Sequence, residues 1–589
     1  MPLSCCDAKD IRIGKDTAFD GWLFNILIDN NILHDMNPQL IGAPEQMRFM
    51  VVLEEDQVYL PCEDSILCNI LSGTPTSAPA TAASATSVAA LDAMYNRAWR
   101  VIVRLVRQSS VDREDARRRL TLCKHRFRQA IAARTLIPSR MVKRMIALAF
   151  FRHGLNELWE DRRSASCGRQ QEMLTATTMQ QMLHAVDRSE LFGDMLDIQK
   201  RLHFLELARK MYLSCMSRPW LDSLPSVIDI QKGFADAAQV STPLDLFFGN
   251  STGMTVLFLV DADGGFVLDM YFIEALIRMG HRVIVAVKQG FHFFSPTLMD
   301  VEADPNLAAW RDKAYIVHDP ALGKNALLRL LREHKLLIIS DGTQERMNLC
   351  RVSVSFARAW KECDLVIAKG WRNAGIFLKT SHDFTRDVLC YWMDTKNKQY
   401  HVEARPRPSS VRKFSETDLN MQAEKIIRTM RQAREAGKSV MFYSCVIGSI
   451  PGQTATASKL VKAFVENLRK KSDNIFIINP AEHFIEGMDG DDLMFMWERV
   501  QRSGLIDIWR FQSVEDIEES FALLGRKVPP IWVGKDATYS TGCTKEMRIA
   551  IDVQEKNREM QIIGPAPRLF FRRSEYGVGK YYDATIKTR

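Results

Sequence analysis

Thr255-Val-Leu-Phe-Leu-Val260, Asp261-Ala-Asp-Gly-Gly265, the run from Phe266 to Gly280, and Val283-Ile-Val-Ala-Val287 are read in that order, and they decide the fold. The first run is short, β-branched and apolar on both faces, as a strand buried inside a parallel sheet must be. A turn of acids and glycines follows. The next segment places Leu268, Phe272, Leu276 and Met279 on one helical face and closes on Gly280, a residue suited to the end of a helix. The second apolar run leads into Lys288-Gln-Gly290. This is a β-α-β unit. In open α/β sheets ligands bind beyond the carboxyl ends of the strands, so a site in this chain is expected to centre on Asp261.

The same alternation continues over residues 244–410. Strand-like runs are Ala314–Val317, Lys335–Ile339 leading into Ser340-Asp341-Gly342, and Asp364–Ala368 leading into Lys369-Gly370. Helical runs are Ala326–Leu331 and Val352–Trp360. In one doubly wound, mostly parallel sheet these strand ends converge with Asp261 on a single edge. Residues 91–243 are helical almost throughout, with Ala98, Val101, Leu105 and Val106 on one face and Met141, Met145 and Leu148 on another. They predict an all-helical subdomain before the sheet. Residues 411–565 alternate again, from Ser439–Tyr443 through Asn474–Ile478 and Leu505–Arg510 to Ile531–Val533. This second α/β unit either extends the first sheet or forms its own domain. Residues 1–72 read as a small α+β module, with a helix over 19–33 and a hairpin from 48–53 and 57–60. Residues 73–90 read as a Ser/Thr/Pro/Ala linker, and 566–589 as a basic tail. The fold class is α/β.

Composition sets bounds. A chain of 589 residues exceeds one ordinary core, which predicts two to four domains. With 46% hydrophobic and 25% charged residues it is globular. The net charge of +8 suits an anionic small molecule or a weakly acidic protein partner, while no basic run is dense enough for nucleic acid. No apolar stretch approaches the roughly 18 residues of a membrane span. The start, Met-Pro-Leu-Ser-Cys-Cys, lacks the pattern of a secretory signal. The 12 cysteines include no Cys-x-x-Cys pair, the usage expected of reduced thiols in a cytoplasmic protein.

Four ordered segments of the central block resemble the damage-control phosphatase family, also described as an acidic-residue-methyltransferase-like metal-binding domain. That family has a strand ending in Asp-Asn-x-Gly-Glu, followed by a helix with an early Asp. The matching run is Asp261-Ala-Asp-Gly-Gly265, with Asp269 in the early-helix place. A strand, a Lys/Arg-Gly turn and an Asn/Ser-Asp-x-Thr segment come next, matched by Val283–Gly290 and Ser295-Pro-Thr297, with Asp300 close behind. A strand ending in a Ser/Gly turn is matched by Ile339-Ser-Asp-Gly-Thr343. Last comes Ala-Asp-Leu-Val-Ile-x-Lys-Gly-x-x-Asn, matched by Cys363-Asp-Leu-Val-Ile-Ala-Lys-Gly-Trp-Arg-Asn373.

The resemblance implies divalent-metal-dependent hydrolysis of phosphorylated metabolites such as sugar phosphates, with Mg or Mn as the ion. It implies Asp261 as the catalytic, metal-holding carboxylate. It sets Lys369 and Asn373 against the substrate phosphate, with Gly370 and Ser340 as further candidate contacts; Gly264-Gly265, read by itself, either lets backbone N–H groups approach an anion or forms a tight turn. The departures lie in the ligand set. Ala262 stands in the Asn place, Pro296 in the second Asp place and Gly265 in the Glu place. Hard cations need several oxygen ligands, and these side chains offer none. The expected function is therefore a degenerate member, a pseudoenzyme that binds a phosphorylated metabolite or a protein partner with little catalysis. A first alternative is an active hydrolase with a relocated metal site on Asp261, Asp263 and Asp300. Alternation along an extended chain sets Asp261 and Asp263 on one side. A second alternative is a nucleotide-binding C-terminal unit, through the loop Tyr443–Lys459 with Gly448 and Gly452. That loop is one residue short of a Walker A motif and has Gln453 where Lys belongs.

Overall fold

The computed structural model describes residues 45–582, apart from 55–56, 58, 60–81, 111, 134–135, 151–154, 187–192, 217–226, 249–252, 263, 395–396, 398, 451–452, 484, 486 and 575–579. These residues fall into two compact units, one ending at Pro408 and one beginning at Ser409.

The first unit is built on seven strands: β1 Thr255–Leu259, β2 Arg282–Val287, β3 Tyr315–Val317, β4 Leu336–Ser340, β5 Leu365–Lys369, β6 Asp387–Asp394 and β7 Gln399–Arg405. Their order is β3-β4-β2-β1-β5-β6-β7. All pairs are parallel except β6 with β7. Leu257 of β1 lies opposite Ile284 of β2 and Val366 of β5. β1, β2, β4 and β5 are buried nearly end to end, which explains their unbroken apolar runs. The helix Phe266–Arg278 buries Val267, Met270, Phe272 and Ile273. They share one core with Phe204, Leu207 and Met211 of the helix Met195–Cys215.

The helical region divides by its packing. The helices Ala82–Ser109, Arg113–Ala133 and Pro138–Phe150 close a core of their own around Tyr95, Ile102, Phe127 and Met141. The later helices, from Leu155–Thr175 to Val227–Val240, contribute to the core of the sheet.

Some local expectations are revised. The first helix begins at Ala82, inside the stretch read as linker, where alanines favour helix over coil. Arg48 and Phe49 lie in a 3-10 turn, Glu45–Phe49, not in a hairpin strand. Val51 instead bridges to Phe384, and Thr385 N–H donates to the Met50 carbonyl at 3.0 Å. The helix expected over 19–33 lies outside the described residues. β6 and β7 were not anticipated.

The second unit has its own sheet of four parallel strands: β8 Ser439–Ser444, β9 Ile475–Ile478, β10 Ile508–Phe511 and β11 Gln561–Ile563, in the order β11-β10-β8-β9. Its main core gathers Phe442, Trp497, Trp509, Phe511 and Met547. The sheet is thus separate from the first. Ile531 and Trp532 belong to a 3-10 turn, Pro530–Trp532, because two consecutive prolines remove ladder donors. Among the described residues no helix is long and apolar enough to cross a membrane.

Candidate functional site

The winding of the first sheet reverses between β1 and β5. β2, β4 and β3 lie to one side of β1, and β5, β6 and β7 to the other. A crevice outside the carboxyl ends of the strands forms where the order reverses. Asp261 follows β1 at this point and Lys369-Gly370 closes β5, so the two segments that the sequence singles out meet here.

Asp261 is buried, and its Oδ1 accepts the Ala262 N–H at 2.7 Å. The Ser295 hydroxyl donates to the Asp261 carbonyl at 3.1 Å, and the Pro296 carbonyl accepts the Lys288 N–H at 2.9 Å. The segment matched to the second metal-ligand motif therefore does lie against Asp261. Gly370 has φ +94°, and a Cβ at this position would stand 2.0 Å from Asp261 Oδ2. Only glycine lets the end of β5 come this close to the carboxylate. Two residues on, Arg372 Nη1 lies 3.7 Å from Asp261 Oδ1.

Lys369 is buried, and its ammonium donates to Asp269 Oδ1 at 2.6 Å and to the Gly264 carbonyl at 2.9 Å. Burial pushes the Asp269 carboxyl up to about 7, against the opposite pull of Lys369 and with a smaller push from Asp261. Asn373 Nδ2 donates to the carbonyls of Val260 and Lys369, at 3.1 and 2.8 Å, tying the ends of β1 and β5 together. Ser340 Oγ donates to Gln289 Oε1 at 2.6 Å and accepts the Gly342 N–H at 3.0 Å. Gly264 and Gly265 have φ of +85° and +84°, a pair of left-handed residues that turn the chain into the helix Phe266–Arg278.

Asp300 forms a capping box with Thr297, taking its N–H and hydroxyl on Oδ2 at 2.7 and 2.8 Å. Its Oδ1 is held by Arg163 Nε and Nη2 at 2.9 and 2.8 Å. Asp341 is held by Lys288 Nζ at 2.6 Å and by Thr343. Asp263 lies outside the described residues.

These residues do not fit a divalent ion. Each described carboxylate near the crevice already faces a protein cation: Asp261 with Arg372, Asp269 with Lys369, Asp300 with Arg163 and Asp341 with Lys288. Asp269 Oδ2 lacks a partner among the described residues, but its other oxygen is already held by the Lys369 ammonium at 2.6 Å. Among the described residues no group of three His, Cys, Asp or Glu is placed to share an ion.

Sequence reading missed Arg372, His292 and Arg163. Arg372 stands inside the quoted Lys-Gly-x-x-Asn match, at a position the motif leaves open. His292 is buried, with Nδ1 3.2 Å from Ser295 Oγ. Burial keeps its ring well below the usual histidine range, helped by Lys288, Arg372 and Arg346. Arg163, beside Arg162 on a distant helix, reads in sequence as part of a solvated face; it is instead buried and paired with Asp300.

The loop after β8 is packed. Val446 and Ile450 are buried with Ala457, Leu460, Ile517, Phe521 and Trp532. Gln453 Oε1 accepts the Trp532 indole N–H at 3.2 Å. Gly452 lies outside the described residues.

Residues 222–400 match the family model of the damage-control phosphatase ARMT1-like domain. This domain takes in both halves of the crevice, from β1 through β6. Members of its family are generally metal-dependent. The chain is also similar to a solved structure, that of a DUF89 family protein from Pyrococcus horikoshii. Identity is 16% and the TM-score 0.33, over 51% of this chain and 89% of that chain. Comparison with curated proteins finds no match.

Proposed function

We propose that the ARMT1-like domain of this chain binds a phosphorylated small metabolite in the β1/β5 crevice and hydrolyses it poorly. The observation that supports this reading is the replacement of oxygen ligands around Asp261. Ala262 and Pro296 occupy the places where the resembled family carries Asn and Asp. Without a firmly held ion, the charge that develops on a transferring phosphoryl group loses its main stabiliser. Three cations, Arg372, Arg346 and Lys288, lie near enough to act on the His292 ring.

Two measurements test the reading together. After purification in Mn²⁺, elemental analysis is expected to find well under one ion per chain. Calorimetry is expected to detect binding of a hexose phosphate. One Mn²⁺ per chain, lost in Asp261→Asn and accompanied by turnover, would replace this reading with a metal-dependent hydrolase.

A further inference from the structure

We infer that Arg372 provides, as a fixed guanidinium, the positive charge for which the resembled family uses a divalent ion, so that the crevice takes a phosphate monoester without metal. This deepens the reading above and rests on it.

The argument starts from position. Arg372 is the second residue of the helix Trp371–Leu378, which leaves the end of β5 directly after Gly370. Asp261 leaves the end of β1 on the other side of the reversal. Their charges meet across the crevice at 3.7 Å. The Ala262 N–H donates to the same Asp261 oxygen at 2.7 Å, and the absence of a Cβ at Gly370 leaves room for the other oxygen. A divalent ion on Asp261 would stand beside a permanent positive charge, with no side-chain oxygen from Ala262 or Pro296 to compensate. Like charges repel, and more strongly in a partly buried site than in water.

The second step is elimination among the cations. Lys369 is carried over by resemblance as the residue facing the phosphate, but its ammonium is held by Asp269 and Gly264, and its side chain is 2% exposed. Lys288 is held by Asp341 and Thr343 and is 5% exposed. Arg372 keeps 26% of its side-chain surface accessible while its other flank faces Asp261. It is the cation of the three that a ligand can reach. Arg346 Nη2 donates to the Arg372 carbonyl at 2.8 Å, fixing the backbone from which the guanidinium projects. A guanidinium stays charged at any physiological pH, and its planar fork suits two phosphate oxygens at once. Asp261 then competes with the anion for the guanidinium and is not itself a contact of the phosphate.

The roles assigned to Asp261 by the two views differ in sign. As a metal ligand, its loss abolishes binding. As a partner of Arg372, its loss removes a negative charge beside the anion and tightens binding. The test is calorimetry on the full chain with inorganic phosphate and with a hexose phosphate, each with and without EDTA. Wild type is expected to bind equally well in both conditions. Arg372→Gln is expected to bind at least about tenfold more weakly, the scale of one lost charge-assisted contact. Arg372→Lys should recover part of that loss, and Asp261→Asn should bind severalfold more tightly. The inference is overturned by any of three results: wild-type binding that EDTA abolishes, an Arg372→Gln protein that binds like wild type, or an Asp261→Asn protein that no longer binds. If Arg372→Gln fails to fold, the EDTA and Asp261→Asn arms still decide. If wild type binds neither probe with or without Mn²⁺, both this inference and the proposed function fail. Binding that depends on Mn²⁺ overturns the inference alone and leaves a phosphometabolite site.

Discussion

Gly370 shows how much one residue carries. Its φ of +94° and ψ of +149° lie in a region that only glycine occupies readily, at a cost of about 1–3 kcal/mol for other residues. A methyl group there would also strike the Asp261 carboxylate. Gly280 provides the control: its φ is +92°, but nothing lies within 4 Å of a Cβ. Gly370→Ala is therefore expected to lower the urea midpoint more than Gly280→Ala and to weaken phosphate binding as well, whereas Gly280→Ala should leave binding unchanged. Equal stability losses and equal affinities would show that the contact with Asp261 does not matter. At this scale the sequence was partly legible. Asp261, Lys369, Gly370 and Asn373 all reach the ends of β1 and β5, because strand ends can be read from apolar runs that stop. Their pairings could not be read. That Lys369 meets Asp269 and Arg372 meets Asp261 depends on which strands become neighbours.

Single elements carry a second kind of information, and the helix Thr541–Lys556 is an example. It buries Glu546 against the polar end of β8. The carboxyl bonds with Ser444 and Cys543 and accepts from Gln501 Nε2 at 3.0 Å, while the Trp509 indole N–H donates to Ser444 Oγ at 2.8 Å. Burial raises the carboxyl above its ordinary value of 4.5, with the hydrogen bonds pulling the other way. A raised carboxyl favours the neutral form in the folded state. Its contribution is fully present below about 4.5 and is lost as pH rises through the raised value. Glu546→Gln cannot ionise. It is expected to match wild type near pH 4.5 and to be the more stable of the two at pH 8, by chemical denaturation. A wild type that gains on the variant as pH rises would show that the carboxylate is the favoured native form. The same scale explains the missed strands. Val388–Tyr391 of β6 is an apolar run as clear as that of β4, so its signal was present. β7 is half exposed and paired antiparallel, and its weak alternation from Gln399 to Arg405 carries less.

The described residues divide at Pro408, and each unit closes its own hydrophobic clusters. A fragment of residues 409–589 is therefore expected to fold alone, with cooperative melting and the circular dichroism of a parallel α/β domain. A fragment that is soluble but lacks a cooperative transition would show that its core is incomplete. The β1 to β5 part of the central sheet, its β-α-β opening, the helical region before it and the alternation after it are determined by the sequence itself. Buried strands and amphipathic helices must display their environment in their apolar pattern, because burial is what forms them. The loss of side-chain oxygen ligands is likewise a matter of composition: the side chains of Ala262 and Pro296 supply none wherever they stand. Tertiary structure alone decided which charge meets which. Arg163 reaches Asp300 across 137 positions of sequence, and Lys369 reaches Asp269 across 100. No local pattern records contacts at such separations: the first needs the helix Leu155–Thr175 packed against the segment after β2, and the second arises when the crossover brings β5 beside β1. The same crossover sets Arg372 against Asp261, and with it the character of the site.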